Sequence, residues 1–318
     1  MAAALLRRAP VVALLVPAMA WLTVFDGILV DKPSPGGDLT VVSHNVNQAD
    51  PDPAGTARSL LAAGADVLAL EELSPTTAPA YERALADAHP YHFQQGTVGL
   101  WSVHPLRDAR AVPIMPWMRA MRAMRATVDA PGGRPAVYVA RLPSVRVGLS
   151  GFTARARDEA LDLLVAEVRA EPERRVVVMG DLDGSTDDRA LRPLTDRLVS
   201  AQTEAGAGFG FTWPTRLPVV RIDQMLLGGV RAASAWTLPA TAGDHLPVAA
   251  RIALPPGART LIRPGPEETS PVRGCHAHGP RPRPGPSLRR SHRTTHRRPE
   301  RPAAFTSPSS PVPRPGTP

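Results

Sequence analysis

The 318-residue chain has little of three things: one cysteine (Cys275), one lysine (Lys32) and only 4% aromatic residues. A single cysteine excludes a disulfide framework and a cysteine-rich zinc site. Because it falls in the C-terminal stretch, it also excludes a cysteine nucleophile in the folded part. With one lysine, the 37 basic residues are almost all arginine, a pattern of GC-rich coding rather than of function. The net charge of +8 is unevenly placed. From Arg259 to the end, twelve arginines face three acidic residues, so that stretch carries +9 and the rest −1. Net charge therefore gives no support for a nucleic-acid-binding domain, which carries its own basic patch.

Proline is abundant instead, 37 of 318 residues. From 255 to 318 Pro, Arg, Ser and His dominate without apolar periodicity, the composition of a disordered tail. At the other end, Arg7 and Arg8 precede an apolar run over 9–25. As a helix this run spans roughly 26 Å, just short of a hydrocarbon core. Residues 1–30 are therefore expected to be a signal peptide, with Ala18-Met19-Ala20 as a cleavage site, or an uncleaved membrane anchor. Either way the arginines stay cytoplasmic, and the remainder is expected in the cell membrane or outside the cell. Residues 31–38 (DKPSPGGD) read as a linker, leaving a domain over 39–254.

Within that domain strands and helices alternate. Strands are expected over 39–44, 67–70, 98–102, 145–149, 176–179, 222–227 and 248–254, and helices over 53–63, 79–88 and 156–170. The last helix has Ala160, Leu163, Leu164, Glu167 and Val168 at near-helical spacing. Strands over 124–129 and 136–140 flank Pro131-Gly132-Gly133, a hairpin signal. The pattern is α/β with mixed strand directions. The triplet Met-Arg-Ala repeats over 118–126, a local duplication at a strand's start.

Chemistry-bearing residues gather where strands end, the usual place for sites in α/β folds. Ser43-His44-Asn45-Val46-Asn47 offers two amides for a metal or phosphate, or for capping a turn. Glu71 and Glu72 follow an apolar strand; since neighbours point to opposite faces, only one of them can face a site. Gly180-Asp181-Leu182-Asp183-Gly184-Ser185 places two carboxylates on one face, and its glycines let the backbone turn and approach a ligand. Arg221-Ile222-Asp223-Gln224 and Gly243-Asp244-His245-Leu246-Pro247-Val248 supply a carboxylate that can orient an imidazole.

In order and spacing these clusters, with Gly99-Leu100-Trp101-Ser102-Val103-His104-Pro105, resemble the endonuclease/exonuclease/phosphatase superfamily, the deoxyribonuclease I-like fold. The resemblance spans about 39–254 and implies a four-layer sandwich: two packed mixed β-sheets flanked by helices. It implies that Asn45, Glu72 and Asp244, helped by Asn47, hold a divalent metal, Mg²⁺ or Mn²⁺. Asp181 would position or deprotonate the attacking water, and His245, oriented by Asp223, would contact the phosphate. Asp183 stands where the family has a donor, and Arg141 where many members have His. An anion at 183 repels phosphate unless protonated or metal-bound, whereas an arginine at 141 can still clamp it. Gln224 follows Asp223 where a histidine or aromatic is common.

The expected protein is a monomeric, exported, metal-dependent phosphoesterase, membrane-associated through its N-terminal segment. A catalytically weak member binding phosphorylated ligands or lipid headgroups, and a secreted nuclease, are the alternatives. The substrate is a phosphoester that the sequence does not identify.

Overall fold

The computed structural model describes residues 32–118, 121–148 and 151–255, with Leu15, Pro17 and Met19 further upstream. The expected export segment, those three positions aside, and the tail beyond 255 lie outside the described residues. No helix among the described residues is long and apolar enough to cross a membrane.

Two six-stranded mixed sheets form the centre. The first contains β1 (Leu39–Asn45), β2 (Val67–Glu71), β3 (Tyr91–Gln95), β4 (Val98–Ser102), β13 (Arg231–Thr237) and β14 (Val248–Ala253), in the order β13-β14-β1-β2-β4-β3. The second contains β5 (Leu106–Ala111), β6 (Ala123–Val128), β7 (Ala136–Ala140), β10 (Val176–Asp181), β11 (Val199–Ser200) and β12 (Asp223–Gly228), in the order β11-β12-β10-β7-β6-β5. A small hairpin pairs β8 (Arg146–Gly148) with β9 (Gly151–Thr153). Helices α1 (Pro53–Leu61) and α2 (Ala78–Leu85) cover the first sheet and α3 (Arg155–Arg169) the second, with short α4 (Arg192–Thr195) and α5 (Ala201–Ala205) beyond.

The apolar alternation explains the layers. Along β10, Val177 and Met179 enter the core between the sheets, while Val176 and Val178 pack under α3. Along β2, Val67 and Ala69 face the inter-sheet core, and Leu68 and Leu70 meet α1 and α2. Strands buried on both faces read as continuous apolar runs, which is why the sequence betrays them. Helix α3 buries Ala160, Leu161, Leu164, Val165 and Val168, whereas Leu163 is exposed and Glu167 pairs with Arg110 at 2.6 Å.

The strands that composition missed are β3, β5, β9, β11 and β13, all at sheet edges. One side of an edge strand is free, so β5 (LRDARA) carries charges that no apolar run would include. The linker also differs from expectation. Residues 32–38 lie against the domain: Ser34 N donates to Ala233 O at 2.7 Å and Asp38 N to Ile252 O at 2.7 Å. The Asp38 carboxylate accepts from Leu254 N at 2.6 Å, fastening the two ends of the domain to each other.

The Met-Arg-Ala repeat is split by the fold. Arg125 points away from the site and is buried in a bidentate pair with Glu171, at 3.0 and 2.8 Å. Arg122, one repeat earlier, lies at the head of β6, where its carbonyl accepts from Arg141 N at 2.8 Å.

Candidate active site

Parallel pairing brings the ends of β1 and β2 together, Asn45 opposite Glu71. In the second sheet, β10 ends at Asp181 opposite Asp223 of antiparallel β12. Leu142 N donates to Asp181 O at 2.8 Å, so the residues after β7 reach the same rim. The segment before β14 adds Asp244 and His245. One rim of the sandwich thus collects all nine residues singled out in the sequence.

Asn45, fully buried, joins the sheets. Its Nδ2 donates to Asp181 Oδ2 at 3.0 Å and to Glu72 Oε1 at 3.1 Å. Its Oδ1 accepts from Asn47 N at 3.2 Å, and Asn47 Nδ2 donates to Asp244 Oδ1 at 3.3 Å. Asn47 and Glu72 both take left-handed backbone, φ 63° and 61°, which turns their side chains over the strand ends. His245 Nδ1 lies 2.9 and 3.1 Å from the two Asp223 oxygens. Ligand atoms of Asp181, Asp223 and His245 all fall within 4.8 Å of one another.

This crowding sets the protonation chemistry. Burial, reinforced by the Asp223 charge, pushes Asp181 up to about 7. Burial disfavours the His245 cation, but the hydrogen bond and charge of Asp223 outweigh it and raise the imidazole to about 9. A carboxylate near neutrality beside a charged imidazole is an acid–base pair suited to work between those values.

The two glutamates divide as alternation requires. Glu71 ends β2 fully buried, accepting from Ser43 Oγ at 2.8 Å, with Oε2 unpartnered. Burial pushes its pKa well above the ordinary carboxylate value, which favours its neutral form. Glu72 faces the site. Glu71→Gln is therefore expected to leave turnover unchanged and stability within about 1 kcal/mol, since Gln keeps the acceptor for Ser43. Thermal melts and a turnover assay check this, with Glu72→Gln as the sensitive counterpart.

Asp183 has φ 46°, and its carboxylate accepts from Val145 N rather than standing free in the site. Its amide donates to Asp181 Oδ1 at 3.1 Å and its carbonyl accepts from Arg157 Nη1 at 3.1 Å. Burial raises its pKa, against the pull of the Val145 amide and of Arg157 and Arg141. Arg141 Nη2 meets Glu72 Oε1 at 2.5 Å, leaving Nε buried without a partner.

Arg122 and Arg157 escape a sequence reading, and the role of Gln224, singled out there only as a departure, does too. Arg122, half-buried with Nε unpartnered, feels Arg141, Glu72 and Asp181. Gln224 Nε2 donates to Gly184 O at 2.9 Å and Arg221 O at 2.8 Å, tying the 183–185 turn to β12. Arg157 holds the same turn through Asp183 O and, at 2.8 Å, Asp188. The only clue is that polar residues stand beside the motifs. Gly180 corrects an expectation: at φ 134°, a Cβ there would lie 2.1 Å from Ala140 O, so this glycine serves a close approach to β7, not to a ligand.

Asn45, Asn47, Glu72 and Asp244 present carboxylate and amide oxygens, the donor chemistry of a hard divalent cation, and hydrogen bonds already link them in pairs. The residues present fit such an ion.

The sequence model of the Endonuclease/Exonuclease/phosphatase family matches residues 42–245, and the chain belongs to that family. It is a family of hydrolases acting on phosphoester bonds. Among solved structures, D. rerio TDP2 humanized by 14 mutations is similar at TM-score 0.56 and 18% identity, covering 67% of this chain and 98% of that one. Mannosyl-6-phosphatase of Bacteroides thetaiotaomicron gives TM-score 0.55 and 12% identity over 68% and 99%. The Beutenbergia cavernae endonuclease/exonuclease/phosphatase gives 0.55 and 18% over 69% and 72%. No curated protein sequence matches the chain.

Proposed function

We propose that the protein is an exported, divalent-metal-dependent phosphoesterase. The observation that carries this is the continuous hydrogen-bonded set Glu72–Asn45–Asp181 beside Asp223–His245, contributed by both sheets at one rim. Export rests on the sequence of 1–30, and localisation to the membrane or outside the cell follows from it.

Asn45, Glu72 and Asp244, helped by Asn47, would hold Mg²⁺ or Mn²⁺. Bound there, the ion supplies Lewis-acid stabilisation of charge on the phosphoryl oxygens. The chain's own groups do the rest. Asp181 accepts the proton of the attacking water. Asp223 fixes the His245 ring through Nδ1, leaving Nε2 to donate to a phosphoryl oxygen as charge develops there. Arg141, paired with Glu72 at this rim, would be a second cation for the same oxygens.

The neighbours include a D. rerio TDP2 structure with single-strand DNA product and a mannosyl-6-phosphatase. At 19% and 12% identity they do not choose a substrate for this chain. The −1 balance outside the tail weighs against nucleic acid. A second reading, a weak member that binds phosphorylated ligands, is favoured by one feature: Asp183 offers carboxylate oxygens, one held by Val145 N, where the family resemblance implies a hydrogen-bond donor.

The test is hydrolysis of bis(p-nitrophenyl) phosphate by the full chain, with Mg²⁺ and with chelator. Turnover is expected to need metal. Glu72→Gln should lower it and demand more metal. Asp183→Asn should raise it, because an amide keeps an acceptor for Val145 N and replaces the other oxygen with a donor. Turnover indifferent to chelator and to Glu72→Gln would overturn the metal-phosphoesterase reading; an inert wild type revived by Asp183→Asn would select the second.

A further inference from the structure

Large apolar side chains left exposed are few among the described residues from 32 onward: Tyr91, Trp117, Leu163, Val199, Trp213, Leu217 and Val219. Three of these seven fall in one short hairpin, with Trp213 39%, Leu217 71% and Val219 58% exposed. Scattered single apolar residues are ordinary, whereas a cluster marks an interaction surface.

The hairpin is well ordered. Trp213 N donates to Val220 O at 3.1 Å, Val219 N to Trp213 O at 3.0 Å, and Leu217 N to Pro214 O at 3.1 Å. It is also pinned to the active site. Thr215 N donates to Asp244 O at 2.9 Å, Thr215 Oγ1 to Gly243 O at 3.1 Å, and Leu246 N to Thr212 O at 2.8 Å. A rigid backbone thus holds apolar side chains out in water next to Asp244 and His245, with exposed Arg216 among them. Tryptophan, aliphatics and an arginine together are the composition of segments that enter the headgroup boundary of a bilayer. On the other flank of the site, Trp117 is 54% exposed in the segment leading to Arg122.

A second, independent observation concerns where the chain enters the domain. Lys32 N donates to Gly206 O at 3.4 Å and Lys32 Nζ to Thr203 O at 2.8 Å. Lys32 lines one cleft with Thr186 and Arg221, and Arg221 is two residues from Asp223. Lys32 therefore lies on the flank near the start of β12, and residues 34–38 run from it to Ala233 and Ile252 at the far end of the sheets. The apolar run over 9–25 ends seven positions before Lys32, at most roughly 25 Å of extended chain. If the run is retained as an anchor rather than cleaved, it tethers this side of the domain close to the membrane.

We propose that the active-site rim docks on a lipid bilayer through the 213–220 hairpin, with Leu217 and Val219 entering the headgroup boundary. This stands apart from the phosphoesterase reading, because docking is read without turnover.

The test uses the full chain with Cys275→Ser, reconstituted in vesicles of equal parts phosphatidylglycerol and phosphatidylcholine. A polarity-sensitive fluorophore is attached at Leu217→Cys or, in a separate sample, at Arg174→Cys. Arg174 is exposed beside the start of β10, at the end of the sheets away from the site. The probe at 217 is expected to shift to shorter wavelength and to be quenched by lipid-borne doxyl groups, while the probe at 174 keeps its aqueous emission. An aqueous emission at 217, or equal quenching at both positions, would overturn the proposal. Both substituted side chains point into solvent, so neither label disturbs the fold.

Discussion

Asp181→Asn is expected to cut kcat by about 10²–10⁴-fold, the range for losing a positioned general base. The substitution keeps the shape: an amide oxygen at 181 still accepts from Asn45 Nδ2, the link that joins the sheets. What it removes is the group able to take a proton near neutral pH. The wild-type profile of kcat/KM carries the same information. Asp181 works only when ionised, so activity rises as pH passes about 7. His245 works as the cation, so activity falls as pH passes about 9. The plateau lies between. Asp223→Asn removes the charge that lifts the imidazole, so the alkaline limb should move toward the ordinary value of 6.5 and the plateau should close. Steady-state kinetics across pH for the three proteins check this. An unmoved alkaline limb in Asp223→Asn would detach His245 from the profile, and an undiminished Asp181→Asn would remove Asp181 from the chemistry.

Gly180→Ala is expected to be the most damaging single change in the fold. The added methyl would lie 2.1 Å from the Ala140 carbonyl oxygen, which is backbone and has no rotamer to yield, and the φ of 134° is strained for any side chain. Relief requires parting β10 from β7, two central strands of the second sheet. The cost should exceed about 3 kcal/mol, in the range reserved for backbone strain and overpacking of a core. A melting curve measures it directly. Gly64→Ala is the control: φ is 68° there, but nothing lies within 4 Å of the new Cβ, so only local strain is paid. Equal melting losses in the two variants would show that the strand approach at Gly180 is not what matters.

Legibility in the sequence follows burial and local order. Strands such as β2 and β10, covered on both faces, are uninterrupted apolar runs and were plain. Edge strands β3 and β13 pair with a sheet strand on one side only, tolerate polar residues and carry no such mark. At the site, each motif is local to one strand end, so Asp181, Asp223 and His245 could be singled out one by one. Their meeting was legible only through the family resemblance: Asn45 and Asp181 are 136 positions apart, and the packing of two sheets makes them neighbours. The roles of Arg122 and Gln224 were hidden for another reason. Their roles depend on a guanidinium brought beside Arg141 by the β6–β7 pairing and on a carbonyl presented by the turn after β10. Neither partner has a sequence signature.

The bond from Asn45 to Asp181 joins two sheets that meet through side-chain packing rather than strand pairing. Glu72 and Asp244 ride on one sheet, Asp181 and Asp223 on the other, and the inter-sheet layer of Val41, Val67, Val139 and Met179 sets their spacing. That layer acts as the calibration spacer of the catalytic gap. A methyl gained or lost deep in it would retune the distance between the two halves of the site without touching a reacting group. Sequence drift in the interior is thereby coupled to catalytic rate, and the least exposed residues of the molecule become a dial on its chemistry.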